Sequence, residues 1–204
     1  MMLVIGLTGG IGTGKSEVTR MLEALGAAVI NADQVGHEAY RPDSESWKEV
    51  VKTFGEQILR PDRDIDRQKL GAIVFADPDQ LSKLNQIMHP RMARIVSDQL
   101  ESLRGQGTRV AVVEAALLFE AGWDSLVDEV WATDSPVETV IERLQARNGM
   151  SAEEVLKRID SQMDRSERLK RAQVIVDNGG DVADLESKVE TLWNTRVTGA
   201  AEPP

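Results

Sequence analysis

The stretch Gly9-Gly10-Ile11-Gly12-Thr13-Gly14-Lys15-Ser16 sets four glycines directly ahead of a lysine and a serine. It fills every fixed position of the pattern G-x-x-x-x-G-K-[ST]. Backbone without side chains can wrap a phosphate closely, and the N–H groups that open a helix favour an anion. In that chemistry Lys15 reaches the β- and γ-phosphates of a nucleotide, and the Ser16 hydroxyl ligates magnesium. The alternative, a glycine-rich turn with no ligand, is disfavoured by context: the apolar run Leu3-Val4-Ile5 precedes the motif and an amphipathic segment, Val18 to Leu25, follows it. A dinucleotide-binding G-x-G-x-x-G cannot be placed on these glycines. Phosphoryl transfer also wants a carboxylate that orients the attacking hydroxyl and takes its proton. Asn31-Ala32-Asp33 supplies one at the carboxyl end of the second apolar run, the edge where open α/β sheets bind ligands. A helix cap is the other reading of Asp33.

The elements that must position these residues are legible as apolar runs. Leu3 to Leu7, Ala28 to Ile30, Val110 to Val113, Glu129 to Ala132 and Gln173 to Val176 read as strands, most of them continuously apolar, as in parallel sheets covered on both faces. Helix starts are marked at Ser135-Pro136-Val137-Glu138, Ser151-Ala152-Glu153-Glu154 and Asp77-Pro78-Asp79-Gln80 by a capping residue followed by proline or glutamate. Alternating strands and helices predict a doubly wound α/β fold. One long interval interrupts the alternation. From Asp33 to the strand at Val110 the chain reads almost wholly as helix and turn, with Trp47, Val50, Val51 and Phe54 at helical spacing, which predicts a helical insertion. The small, polar, proline-ended tail 198–204 is expected to be disordered.

Composition narrows the classes. The chain has 204 residues, 41% hydrophobic and 28% charged, enough for one sizeable core and a smaller appendage. No apolar run approaches the ~18 residues of a membrane span, so a cytoplasmic protein without a membrane partner is expected. With no cysteine and two histidines, thiolate and histidine-rich metal sites are disfavoured. A net charge of −10 argues against nucleic acid as a partner. The segment from Val140 to Arg171 runs against that balance: Arg143, Arg147, Lys157, Arg158, Arg165, Arg168, Lys170 and Arg171 outnumber its acidic residues. Read alone, such a segment is a solvated helical face. Three classes share the phosphate motif: a small-molecule kinase, a GTPase-like switch and a nucleotide-gated binding module. A switch needs a guanine-reading N-K-x-D, which is absent, and Asp177-Asn178-Gly179-Gly180 fits D-x-x-G only after the last strand.

Further short motifs run in order along the chain: "NAD" at 31–33 with His37 beyond it, "IDRQKLGAIVF" at 65–75, "LNQIMHP" at 84–90, "LLFE" at 117–120, "ERLQAR" at 142–147 and "VDNGG" at 176–180. Together with the phosphate loop they resemble the dephospho-CoA kinase family of the P-loop kinase superfamily, from Leu3 to about Trp193. The resemblance implies transfer of the γ-phosphoryl group of ATP, with Mg2+, to the ribose 3′-hydroxyl of dephospho-CoA, the last step of coenzyme A synthesis. It implies a P-loop NTPase fold, a five-stranded parallel sheet, with the core formed by 1–38, 105–139 and 172–197. A helical CoA-binding insertion would span 39–104 and a lid 140–171.

By the same resemblance Gly12, Thr13, Gly14, Lys15, Ser16 and Glu17 form the nucleotide loop, with Asn178 near the adenine and Ser16 on the metal. Asp33 becomes the base, and Thr8, His89, Arg91 and Glu120 fall on the acceptor side. Arg143 and Arg147, four apart on one helix face, become lid arginines that meet developing phosphoryl charge. His89 before Pro90 has the alternative of a turn histidine, and Glu120 that of a surface cap or pair. The four tryptophans read as packing residues. Three positions depart from the family pattern: Glu17 for a small residue, so that its carboxylate is expected to point away, Ala116 for a proline, and Asn31 for an acidic residue. Glu114 could hold magnesium through water or serve the fold. The partners expected are small molecules alone, with the chain a monomer or weak homo-oligomer.

Overall fold

The computed structural model describes residues 2–199. The elements run β1 (Leu3–Gly9), α1 (Lys15–Ala24), β2 (Ala28–Asn31), α2 (Ala32–Ala39), α3 (Glu45–Phe54), α4 (Arg67–Val74), α5 (Pro78–Gly105), β3 (Val110–Glu114), β4 (Glu129–Asp134), α6 (Val137–Asn148), α7 (Ala152–Asp160), α8 (Arg165–Arg171), β5 (Val174–Asp177) and α9 (Val182–Trp193). Two compact units result, one made of 1–30 with 102–204 and the other of 31–101.

The first unit is built on a five-stranded parallel sheet in the order β2-β3-β1-β4-β5. β1 pairs with β3 and with β4, and β4 with β5. The apolar runs become strands because both faces are covered: Ile5, Leu7, Val112 and Trp131 have no exposed surface and pack with Val18, Met21 and Leu22 of α1 and Leu185 and Val189 of α9. β1 and β4 both outrun their apolar residues. Gly9 pairs with Thr133, so the ladder continues into the polar residues on either side of the phosphate loop. A π-helical turn over Asn194–Thr198 continues α9 into the expected tail, of which 200–204 lie outside the described residues.

The unit 31–101 is helical and has its own core: Trp47, Val50 and Phe54 of α3 with Leu70 and Val74 of α4 and Leu84, Ile87 and Met88 of α5. The spacing that predicted α3 is the spacing of its buried face. The Trp47 indole N–H donates to the Arg63 carbonyl at 2.9 Å, and Trp47, Trp123 and Trp131 are all buried, so these rings pack rather than present a stacking surface. Pro90 lies inside α5, not after a turn. The alternative reading of His89 as a turn histidine is therefore set aside. Apolar residues on both sides of Pro90 share the core face, and the Arg91 guanidinium donates to the Ile87 carbonyl at 2.9 Å.

Candidate active site

The turn between β1 and α1 is held from behind by buried polar side chains. The Thr13 hydroxyl donates to the Gly10 carbonyl at 2.8 Å and lies 2.7 Å from the Thr133 hydroxyl. The Thr13 carbonyl accepts the Asn178 side-chain amide at 3.0 Å. Ser135 donates to the Asn178 carbonyl at 2.8 Å. Thr13, Thr133, Ser135 and Asn178 are all buried, so each bond is made where an unmade one would cost about 1–3 kcal/mol. Gly14 closes the turn in the left-handed region at φ 95°, and a Cβ there would overlap the Asn178 amide. Two requirements, the turn and the close approach, fall on one glycine.

Ser135 corrects a sequence expectation. It makes no cap for α6, whose N-cap is Pro136; its hydroxyl goes instead to Asn178. Ser151 does cap α7, with a full capping box to Glu154. Asp33 is not the cap of α2 either. That duty falls to Asn31, whose side-chain Oδ1 accepts the backbone N–H of Asp33 at 2.9 Å and of Gln34 at 3.2 Å. The Asp33 carboxylate is left exposed in the first turn of α2.

Over the loop opens a cleft of about 890 Å³, lined by Gly12, Gly14, Lys15, Ser16, Glu17, Arg143, Arg147, Asn178 and Gly180. Six of the seven residues assigned to nucleotide, all but Thr13, thus face one space together with Arg143 and Arg147. Thr13 is buried and works through its hydrogen bonds. Lys15 Nζ donates to the Gly9 carbonyl at 3.2 Å, folded back over the loop. Glu17 turns to Arg20 at 2.5 Å, as expected of a carboxylate beside a phosphate site. Arg143 donates to Ser135 Oγ at 3.1 Å and Asn178 Oδ1 at 3.3 Å, whereas Arg147 is exposed and bonds its neighbour Asn148.

The remaining candidates divide between the units. Thr8 is buried, its hydroxyl donating to the Ala116 carbonyl at 3.3 Å, so its side chain ties β1 to the segment after β3. Glu120 is exposed. Asp33, His89 and Arg91 all belong to the helical unit, where Arg91 is salt-bridged to Glu49.

Sequence reasoning passed over Gln162 and Arg168. A second cavity of about 290 Å³ shares Gly10 and Ile11 with the cleft and is walled by Asp134, Gln162, Arg165 and Arg168 among others. Arg165 forms a forked pair with Asp134 at 2.7 and 2.5 Å. Arg168 is 6% exposed; burial lowers the pKa of its guanidinium, and the carboxylates of Glu120, Asp134 and Asp164 act against that. The excess of basic residues marked the segment, but nothing in it distinguished a buried arginine from a solvated one.

Comparison with known proteins places the chain in a family. The sequence model of the dephospho-CoA kinase family matches residues 3–184. A dephospho-CoA kinase of Geobacter sulfurreducens is 46% identical over 96% of this chain and 99% of its own length. One of Symbiobacterium thermophilum is 42% identical over 100% of this chain and 85% of its own. Among solved structures, TT1252 of Thermus thermophilus superposes with a TM-score of 0.80 at 32% identity, covering 96% of this chain and 98% of that one. Dephospho-CoA kinase of Campylobacter jejuni gives 0.75 at 27% identity, covering 98% and 100%. A shikimate kinase of Bacteroides thetaiotaomicron, at 0.56 and 14% identity over 96% and 98%, shares the fold.

Proposed function

The chain belongs to the dephospho-CoA kinase family and is an ATP-dependent kinase of coenzyme A biosynthesis, and from that premise we propose how its residues divide the work. The observation that carries the proposal is the cleft over the phosphate loop, where Lys15, Arg143 and Arg147 face the opening of α1. The amides at that helix start and the Lys15 charge hold the β- and γ-phosphates of ATP. Arg143 and Arg147 come from the lid, residues 140–171, and meet the charge that develops as the γ-phosphoryl group leaves. Asn178 keeps the loop in shape through the Thr13 carbonyl and borders the nucleotide. The helical unit binds the CoA moiety. Asp33 accepts the proton of the ribose 3′-hydroxyl as its oxygen attacks phosphorus, and His89, Arg91 and Glu120 bind the acceptor.

Magnesium fits the donors at hand. Ser16 offers a hydroxyl in the first turn of α1, and Glu114 a carboxylate at the end of β3, in register with Leu7. Both are hard oxygen ligands of the kind Mg2+ takes beside phosphate and water. When bound there it neutralises phosphate charge. We take the chain to act in the cytoplasm on small molecules, as a monomer or weak homo-oligomer.

The test is incubation with ATP, Mg2+ and dephospho-CoA, or with a panel of nucleoside monophosphates, followed by mass analysis and NMR location of the new phosphate. The expected product is dephospho-CoA carrying one added phosphate on the ribose 3′-oxygen. Phosphorylation of a monophosphate with dephospho-CoA untouched would overturn the assignment.

A further inference from the structure

We propose that Gln162 is a positioning residue for phosphoryl transfer, joining the lid to the crest of the phosphate loop through the backbone N–H of Ile11. The Ile11 N–H donates to Gln162 Oε1 at 2.9 Å. This amide sits in the loop whose neighbouring amides serve phosphate, yet it is given to a side chain of the lid. The Ile11 side chain is committed to the same partner. It packs into a cluster formed by Val140 and Leu144 of α6 and Val155 of α7, with Ile159 beside it. At the next residue, Gly12, a Cβ would stand 2.9 Å from Val140 Cγ1 and 3.2 Å from Leu144 Cδ1, so α6 rests directly on the loop. Gln162 follows α7, its own N–H bonded to the Ile159 carbonyl at 3.1 Å. Just beyond it, Arg168 Nη1 lies 3.3 Å from where a Cβ on Gly10 would be.

The consequence is mechanical. A displacement of the turn after α7 pulls on the Ile11 amide, and a displacement of α6 pulls on the Ile11 side chain, so the lid cannot shift without moving the loop that cradles phosphate. Misplacing a reacting group by about 1 Å costs ~10²-fold in rate. A proline at position 11 would have no N–H to give, so this coupling depends on the residue present here. Gln162 touches no reacting atom and acts through Ile11.

The inference rests on the reading of 140–171 as a lid over bound ATP, and its test is separable from that reading. Hydrogen exchange at the Ile11 amide is measured by NMR in the full chain without substrates, for wild type, Gln162→Leu and Gln162→Ser. The Leu variant keeps the bulk of the side chain but not the acceptor, and the Ser variant is too short to reach. Wild type should protect the Ile11 amide, and both variants should lose that protection. With ATP and dephospho-CoA, kcat should fall by ~10- to 10²-fold while KM for dephospho-CoA and the melting temperature stay near wild type. An unprotected Ile11 amide in wild type would overturn the proposal. So would unchanged kcat in variants that have lost protection, or a lowered melting temperature with kcat intact. Failure of the kinase reading itself would appear instead as absent wild-type turnover, leaving the exchange result to decide the coupling.

Discussion

The phosphate loop and the helical unit 31–101 hold their functional residues in opposite ways. Around the loop, polar side chains from β4, from the segment after it and from the segment after β5 are buried and bonded to one another and to the loop backbone. In the helical unit the candidates sit on helix surfaces. Asp33 is exposed in the first turn of α2, and Arg91 is paired with the half-exposed Glu49. Such surface pairs are worth about 0–1 kcal/mol and exchange readily for a ligand's charges. The nucleotide cradle is thus set by folding, and the residues proposed for the acceptor are left available for recruitment. Damage to the first should remove chemistry at its root, and damage to the second should leave ATP binding standing.

The largest effect is expected at Lys15. Lys15→Ala removes the point charge at the β- and γ-phosphates and should abolish measurable turnover in a coupled ADP-release assay. Full activity in that variant would dissolve the distinction between the two regions. Next come Arg143 and Arg147, the arginines of the proposed lid, which are unequal here. Arg143 reaches both Ser135 and Asn178, whereas Arg147 bonds its exposed neighbour Asn148. Arg143→Ala should lower kcat by up to ~10³-fold and Arg147→Ala by less, with KM for dephospho-CoA changed less than kcat in both. The segment 143–162 should also gain protease resistance when ATP is added. Equal wild-type rates in the two variants would return both residues to a solvated face.

Most of the sheet could be read from the sequence, because strands covered on both faces are continuous apolar runs. The ends of β1 and β4 could not be, since Gly9 and Thr133 become strand by pairing with each other, and Asp134 by pairing with Asp177 of β5, rather than by composition. Local patterns also failed where a long-range partner competed. Ser135 precedes a helix as a cap would, but Asn178, distant in sequence, takes its hydroxyl. Ser151 has no such competitor and caps as its pattern says. The loop motif was legible because its chemistry is local. Gln162 was not, because its meaning lies in the amide of Ile11 on the other side of the chain's length.

The smallest predicted effect concerns the stability of the segment proposed as the lid. The Glu154 carboxyl is held below the ordinary carboxylate range by the Ser151 backbone N–H, and then by its hydroxyl. Its folded pKa therefore lies below the unfolded value of ~4.3. Its contribution is complete above that value and is lost as pH falls through the depressed folded one. Asp164, held down first by the Ser166 hydroxyl, should behave alike at the start of α8. Thermal melts of wild type and Glu154→Gln should differ slightly at neutral pH and converge as the solution is acidified. A gap that widens with acidification would reverse the sign assigned here.

The contrast between a cradle set by folding and a recruited acceptor side is tested most directly by Asp33→Asn, which preserves size and removes the proton acceptor. ATP affinity is measured by calorimetry and kcat at saturating ATP and dephospho-CoA. The account predicts ATP affinity near wild type with kcat lowered by roughly 10²- to 10⁴-fold. Collapse of ATP binding with the saturated rate intact would contradict it, making Asp33 part of the nucleotide site.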